Sequence, residues 1–282
     1  MSLENFETQI LILNNTFNST SKKNVLNFKL PSTLNLNGYS IGLANASFYY
    51  SWPNITSAKN NNTFSYTWID SIDYTVVLPD GMYSINDISG FLQNQMVLNG
   101  HYLLDENGSI VNFITLQPNS VYQACTLSII PVPSVLPTGW TNPASVSLPA
   151  TDTTPQLNVL SNAFRTVIGF QAGSYPSVPQ TNAYAVNSTT IPQISDVITL
   201  NLTCNLVNSS YFNSSPSSIY TFSPNNVGFA ELITVEPRQI IFFPALNGSF
   251  NYIQVSLLDQ NNNDVNMLDP TFVCTLYLKR KI

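Results

Sequence analysis

The stretch DVITLNLTCNLVN, residues 196–208, decides the fold class. Its apolar side chains fall on every second position, and mostly asparagine and threonine stand between them. Strict alternation of this kind is typical of a β-strand with one buried and one exposed face. The expected buried face consists of Ile198, Leu200, Leu202, Cys204 and Leu206.

The same alternation recurs near the C-terminus. The apolar positions there are Ile253, Val255 and Leu257, followed by Phe272, Cys274, Leu276 and Leu278. We expect these last two strands to pair with each other. Weaker strand patterns occur at residues 8–13, 25–30, 39–50, 64–69, 74–78, 109–116, 126–130 and 239–243.

This series of short strands lacks the intervening helices that βαβ units require. The sequence therefore predicts an all-β fold, a single jelly-roll β-sandwich in which residues 1–282 form one domain, with one short helix at about residues 84–97. Segments rich in proline, serine and threonine interrupt the strand pattern. We expect them to form long loop insertions at residues 131–160 and 171–193.

The predicted helix has well-marked ends. A turn at Pro79, Asp80 and Gly81 precedes it, Ser84 can cap its N-terminus, and Asp87 places an acid in its first turn. Its apolar stripe consists of Ile85, Ile88, Leu92 and Met96. We therefore expect the helix to pack against the sandwich rather than to carry chemistry.

Charged residues make up only 9% of the chain, and the net charge is −6. Direct binding of nucleic acid requires clustered lysine and arginine, so this charge argues against it. The basic cluster of Lys279, Arg280 and Lys281 is expected to solvate the end of the last strand. No apolar run reaches the roughly 18 residues of a membrane span, and the acidic start MSLENFETQ is unlike a secretory signal. We expect synthesis in the cytoplasm.

Residues that could carry catalysis are scarce. His101, the single histidine, is predicted to lie in a loop. The three cysteines, Cys125, Cys204 and Cys274, each stand in a strand-like run and are predicted to be buried thiols. Motifs for a serine nucleophile, for phosphate binding and for a zinc protease are missing from the sequence. We therefore predict that the protein is not an enzyme and needs no cofactor.

The string DQNNND, residues 259–264, begins like a calcium-binding loop. Asp264 stands where that loop requires glycine, and Pro270 stands where it requires glutamate. We therefore predict a hairpin turn and no metal site. A pair of acidic residues that catalyses glycoside hydrolysis remains an alternative, because the sequence does not determine the distances between acidic residues in the fold.

Aromatic residues are abundant, with 14 Tyr, 16 Phe and 3 Trp. Aromatic side chains with few charges are typical both of cores and of surfaces that partners bury. A structural subunit is the simplest interpretation. The alternative is a carbohydrate-binding, lectin-like β-sandwich in which Trp52, Trp68 or Trp140 stacks on a sugar.

Several motifs follow one another along the chain. They are LPDGMYSINDISGFLQ, ITLQPN, FRTVIGF, Glu236-Pro237, VSLLDQNNNDVNML and TLYLKRK. Over residues 70–282 this order resembles the penton-type minor capsid proteins of virophages and Polinton-like viruses. The matching positions are structural: Pro79, Asp80, Gly81, Tyr83, Ser84, Asp87, Gly169, Phe170, Pro237, Asp259 and Gln260.

The resemblance implies a single jelly roll that forms a homopentamer at each icosahedral vertex of a virion. It also implies contact with the surrounding double jelly-roll major capsid protein, and it brings no active site. Two departures concern loop geometry: the proline-rich segment 131–155 is longer than in many members, and Asn262 and Asn263 stand where the turn often has glycine.

Overall fold

The computed structural model describes residues 6–15, 22–207, 217–224 and 227–281. The chain divides into two compact units. Unit 1 consists of Met1–Trp52 and Val197–Ile282, and unit 2 consists of Pro53–Asp196. Every strand pair in the described residues is antiparallel, which confirms the all-β class. One domain over residues 1–282 stays a prediction.

Unit 1 is a two-sheet sandwich, as a jelly roll requires. Sheet A contains β1 (Phe6–Asn14), β3 (Tyr39–Tyr49), β13 (Leu232–Val235), β14 (Phe243–Pro244) and β16 (Phe272–Lys281), in the order β1-β16-β3-β13 with β14 also on β3. Sheet B contains β2 (Val25–Asn35), β11 (Leu200–Cys204), β12 (Ser218–Phe222) and β15 (Ser249–Leu258), in the order β12-β11-β15-β2. The rings of Phe48 and Phe222, one from each sheet, lie 6.0 Å apart in the core.

The predicted apolar faces of β15 and β16 are both buried. The prediction that these two strands pair is wrong: β15 pairs with β11 and β2, whereas β16 pairs with β1 and β3. Each strand buries one apolar face, and the sandwich brings these faces together across its core. The two strands therefore stand in opposite sheets rather than side by side.

The strand β11 differs from its prediction on both faces. Its polar residues Asn201 and Thr203 are both buried. Asn201 Oδ1 accepts hydrogen bonds from Ser218 and Thr221 of the neighbouring strand. Ile198, expected on the buried face, precedes the strand and is 67% exposed. Alternation identified this strand, but the neighbouring strands decide which side chains are covered.

Unit 2 contains two small sheets and two helices. Its strands are β4 (Thr63–Thr67), β5 (Asp73–Val77), β6 (Ile114–Asn119), β7 (Ala124–Ile129), β8 (Gln156–Val159), β9 (Gly173–Tyr175) and β10 (Tyr184–Asn187), in the orders β5-β4-β8-β9 and β10-β7-β6. Its helices are α1 (Ile85–Leu98) and α2 (Phe164–Ile168). Three of the strands, β8, β9 and β10, lie within the segments expected to form loop insertions, residues 131–160 and 171–193. Among the residues described, neither helix has the length and hydrophobicity that a membrane crossing requires.

The helix α1 agrees with its prediction in position, cap and buried face. Ser84 and Asp87 form a capping box in which each side chain bonds the other's backbone N–H. Hydrogen bonds from Ser84 hold the pKa of Asp87 below its ordinary value. The stripe of Ile85, Ile88, Leu92 and Met96 is buried in the core of unit 2. The five-residue α2 is too short to show helical periodicity and was not predicted.

Residues 239–243 were predicted as a strand, but only Phe243 belongs to one. Residues 240–242 instead cross Gly42 of β3 so closely that a Cβ there would lie 2.6 Å from Ile240 Cγ2. Gly42 leaves the room for this crossing because it has no side chain. The crossing segment is therefore held against the sheet rather than paired into it.

Candidate functional site

The turn before α1 is fixed by contacts with the segment that opens unit 2. Asn54 Oδ1 accepts from Tyr83 N at 2.9 Å, and Tyr83 Oη donates to the Pro79 carbonyl oxygen at 2.9 Å. Gly81 and Ile55 exchange two backbone hydrogen bonds. Each predicted turn residue in this group thus has a structural role in the described chain.

The acidic residues of the same motif bond backbone and hydroxyl groups. Asp80 Oδ1 accepts from Ser57 N at 2.7 Å, and Asp87 Oδ2 accepts from both the backbone N and the hydroxyl of Ser84. Both carboxylates therefore stabilise a turn or a helix end. Their hydrogen-bonding capacity serves the backbone rather than a substrate.

The two ends of unit 2 are joined by the side chains of Asn54 and Lys59, neither of which belongs to a predicted functional motif. Asn54 Nδ2 donates to the Ile194 carbonyl oxygen at 2.9 Å. Lys59 Nζ donates to the Pro53 carbonyl oxygen at 2.8 Å and forms an ion pair with Asp196 at 2.9 Å. Residues far apart in sequence therefore close unit 2 where the chain begins and ends it.

Gly169 and Phe170 terminate α2. Gly169 has φ +78°, and a Cβ there would collide with the Thr190 carbonyl oxygen. The Gly169 carbonyl oxygen in turn accepts from Thr190 N and Oγ1 at 3.1 and 2.9 Å. Phe170 is buried and meets the Tyr175 ring edge to face at 5.1 Å. Only glycine fits this left-handed position under the 190 segment.

The remaining predicted positions lie in unit 1. Pro237 follows β13, where proline's missing N–H suits the end of a strand. Asp259 closes its turn by accepting from the backbone N of Asn261 and of Asn263, each at 2.8 Å. Gln260 Oε1 accepts from Ile198 N at 3.2 Å. The predicted turn is present, although it leads from sheet B to sheet A and joins no hairpin between β15 and β16.

His101 lies in the loop after α1, as predicted, but this part of the loop is buried in unit 2 and the residue is only 8% exposed. Its ring stacks on Trp68 with centroids 4.6 Å apart. Asn99 Nδ2 donates to Tyr66 Oη at 2.8 Å, and Tyr66 Oη is hydrogen-bonded to His101 Nδ1 at 2.9 Å. Burial lowers the pKa of His101, partly offset by Asp70, and raises the pKa of Tyr66 to about 12. The cluster is a neutral structural network.

The cysteines are free and buried, as predicted. Burial raises the pKa of Cys125 and Cys204 to about 12, so neither presents a thiolate at neutral pH. Within the residues described, no group of three or more histidine, cysteine or acidic side chains could hold a metal ion.

The tryptophans proposed as sugar platforms are mostly covered. Trp52 and Trp68 are buried, at 2% and 5% exposure. Trp140 is half-buried and packs against the core of unit 2. A sugar ring stacks on an open aromatic face, so two of the three candidate platforms are unsuited to that role.

Unit 1 exposes several apolar side chains, and three of them lie on one face of β1. Phe6, Ile10 and Ile12 of β1 point outward and are 43%, 57% and 67% exposed. Lys279 of β16 lies beside them, with Nζ 3.8 Å from the centre of the Phe6 ring. We call these four residues the β1 surface.

A second apolar surface lies at the other end of sheet A. A groove of about 360 Å³ is lined by Tyr49, Ser51, Ala230, Leu268 and Asp269. Leu232, paired with Tyr49 in register, is exposed beside it. We call the lining residues and Leu232 the β13 groove. Alternation had predicted strands at residues 8–13 and 39–50, but not that Ile10, Ile12 and Tyr49 would be left exposed.

No protein-family model and no curated protein matches the sequence. Among solved structures, the chain is similar to the mavirus penton protein, with 9% identity and a TM-score of 0.48 over 99% of this chain and 100% of that one. It is also similar to a chain from the structure of the Sputnik virophage, with 12% identity and a TM-score of 0.40 over 97% of each.

Proposed function

We propose that this protein is a structural capsid protein, a penton subunit that forms pentamers at icosahedral vertices and contacts the major capsid protein around it. The observation that carries the proposal is the regular row of exposed apolar side chains on a strand of sheet A. Such a row is typical of a surface that a partner protein buries. In this role the protein would be located in the virion.

The weak charge of the chain supports assembly. Two subunits with few charges approach each other with little desolvation cost, and asparagine, serine and threonine can bond across a wet interface. The described polar side chains of the predicted motifs bond their own backbone and leave no arrangement that resembles a nucleophile with its base. These features support a structural role rather than an enzymatic one.

The test is the solution mass of the purified chain, measured by light scattering over a range of protein and salt concentrations. We expect a discrete species of about 156 kDa, five times the 31.2 kDa chain. A discrete trimer would contradict the vertex assignment. Adding the purified major capsid protein tests the second contact, and a pentamer that fails to bind it would refute that part of the proposal.

A further inference from the structure

The β1 surface and the β13 groove stand at opposite edges of the same sheet. In sheet A, β1 pairs only with β16, and among the described strands β13 pairs only with β3. Each edge strand therefore leaves one row of backbone N–H and C=O groups without a strand partner. Exposed edges of this kind bind other strands unless something covers them.

The two surfaces differ in shape. The β1 surface is a row of side chains on one strand face, in which Ile10 and Ile12 are both more than half exposed. The β13 groove is a concave site of about 360 Å³, bordered by Leu268 and Leu232, each about half exposed. Aliphatic side chains of the first surface suit an apolar groove of this size.

The two surfaces also carry opposite charges. Lys279 lies at the β1 surface, and its ammonium group contacts the rings of Phe6 and Phe242 at 3.8 and 5.3 Å. Asp269 lines the β13 groove, where its Oδ1 accepts from Thr271 N at 2.7 Å. The three ion pairs found among the described residues include neither side chain. Each charge is therefore available to a partner.

We propose that the β1 surface of one copy binds the β13 groove of the next copy, with Ile10 and Ile12 against Leu268 and Lys279 facing Asp269. This inference rests on the proposed function, because it names the contact through which the pentamer would close. Two different patches on one subunit form a head-to-tail interface, and such an interface generates a ring when its rotation closes. A self-complementary patch would give a dimer instead.

The first test replaces apolar residues by charged ones on each side separately. Ile12→Glu and Leu268→Glu should each weaken association at least tenfold, because each buries a carboxylate in the interface. Ile198→Glu is the matched control, since Ile198 belongs to the same unit, is 67% exposed and lies outside both surfaces. Circular dichroism and the thermal midpoint of each variant establish that it is folded.

The second test reads the contact directly. A carbodiimide joins a lysine to a carboxylate only when they touch, so the pentamer should give a Lys279–Asp269 crosslink. Mixing ¹⁴N- and ¹⁵N-labelled chains should show mixed-isotope crosslinked peptides, which can arise only between copies. Lys279→Glu and Asp269→Lys should each weaken assembly, and the double variant should recover most of it.

The outcomes separate the interface from the pentamer. A wild-type pentamer that Ile12→Glu and Leu268→Glu leave intact would overturn this interface, while the proposed function would stand. A discrete ring of another size that both variants dissociate would support the interface and overturn the pentamer. A wild-type chain that stays monomeric at every concentration would overturn both.

Discussion

The two units differ in where they expose apolar side chains. In unit 2 these side chains stand mainly in turns, loops and element ends, as Val121, Tyr122 and Val135 do. In unit 1 several lie on strand faces, as Phe6, Ile10 and Ile12 of β1 and Leu232 of β13 do. Single exposed apolar residues in loops are ordinary in soluble proteins, whereas a row of them on a strand is typical of a surface that a partner buries.

Buried polar side chains hold the turns of unit 2. Unit 2 has buried asparagines at positions 54, 61 and 62, and each bonds backbone groups of a neighbouring turn or strand. These hydrogen bonds stabilise the turns of unit 2. The proposed function, in contrast, gives the exposed strand face of unit 1 a role in assembly rather than in stability. Four variants or conditions test that distinction.

The largest effect is expected at Gly169. Gly169→Ala should lower the free energy of unfolding by about 3 kcal/mol or more, because it combines a left-handed backbone with a collision against the Thr190 carbonyl oxygen. Urea denaturation measures the loss. Gly90→Ala is the control: Gly90 lies on the exposed side of α1 with nothing near its Cβ position, and the change should stabilise by about 0.5–1 kcal/mol. Equal changes in the free energy of unfolding for the two variants would show that the left-handed turn after α2 is not important for stability.

A smaller but clear loss is expected at Asn54. Asn54→Ala removes hydrogen bonds to Tyr83 and Ile194 and leaves their buried backbone groups unpaired, which costs about 2 kcal/mol. Asn107→Ala, at an exposed loop position, should change the free energy of unfolding by less than about 0.5 kcal/mol. If both variants unfold at the same denaturant concentration, the joining of the ends of unit 2 contributes nothing to stability.

The His101 network should make unit 2 sensitive to acid. Burial lowers the pKa of His101 below its ordinary 6.5, while Asp70 acts in the opposite direction. Between 6.5 and the lower folded value the unfolded chain binds more protons, so the free energy of unfolding should fall as pH decreases through that interval. Tyr66 and Tyr74, which also contact the imidazole, stay protonated there because both have raised pKa values.

His101→Gln removes this titration and keeps an acceptor for the Tyr66 hydroxyl. Denaturation curves of the wild-type protein and the variant should be measured from pH 7.5 to 5. The difference between their free energies of unfolding should become smaller as the pH decreases. Parallel pH profiles would contradict the assignment of the buried neutral imidazole.

Sequence patterns predicted correctly those features of the fold that depend on residues within one short segment. The cap of α1, its buried stripe and the alternation in β15 and β16 are each written within about fifteen residues, and each is confirmed. The predicted pairing of β15 with β16 was wrong because these strands face each other across the core. The sequence of neither strand specifies which strand lies beside it. The strands β8, β9 and β10 have only three or four residues, too few for a period to show.

The candidate surfaces were missed for a related reason. In the sequence QILIL, residues 9–13, both faces of β1 look apolar, and alternation cannot say which face its own chain covers. The structure covers Leu13 and leaves Ile10 and Ile12 exposed. The exposed row on β1 is therefore the one of two similar apolar faces that its own chain leaves uncovered.

The smallest stability effect follows from that difference and tests it within one strand. Ile12→Ala should change the free energy of unfolding of the monomer by less than about 0.5 kcal/mol, because its side chain is already largely in water. Leu13→Ala, one position further and fully covered, should cost about 2–5 kcal/mol through lost contacts and a cavity. Measured at a concentration where the chain is monomeric, a large loss for Ile12→Ala would mean that the β1 surface already belongs to the core of its own subunit. If Ile12→Ala leaves the stability of the monomer unchanged but weakens association, the two roles of β1 are separate. Ile12 then contributes only when a second copy is present.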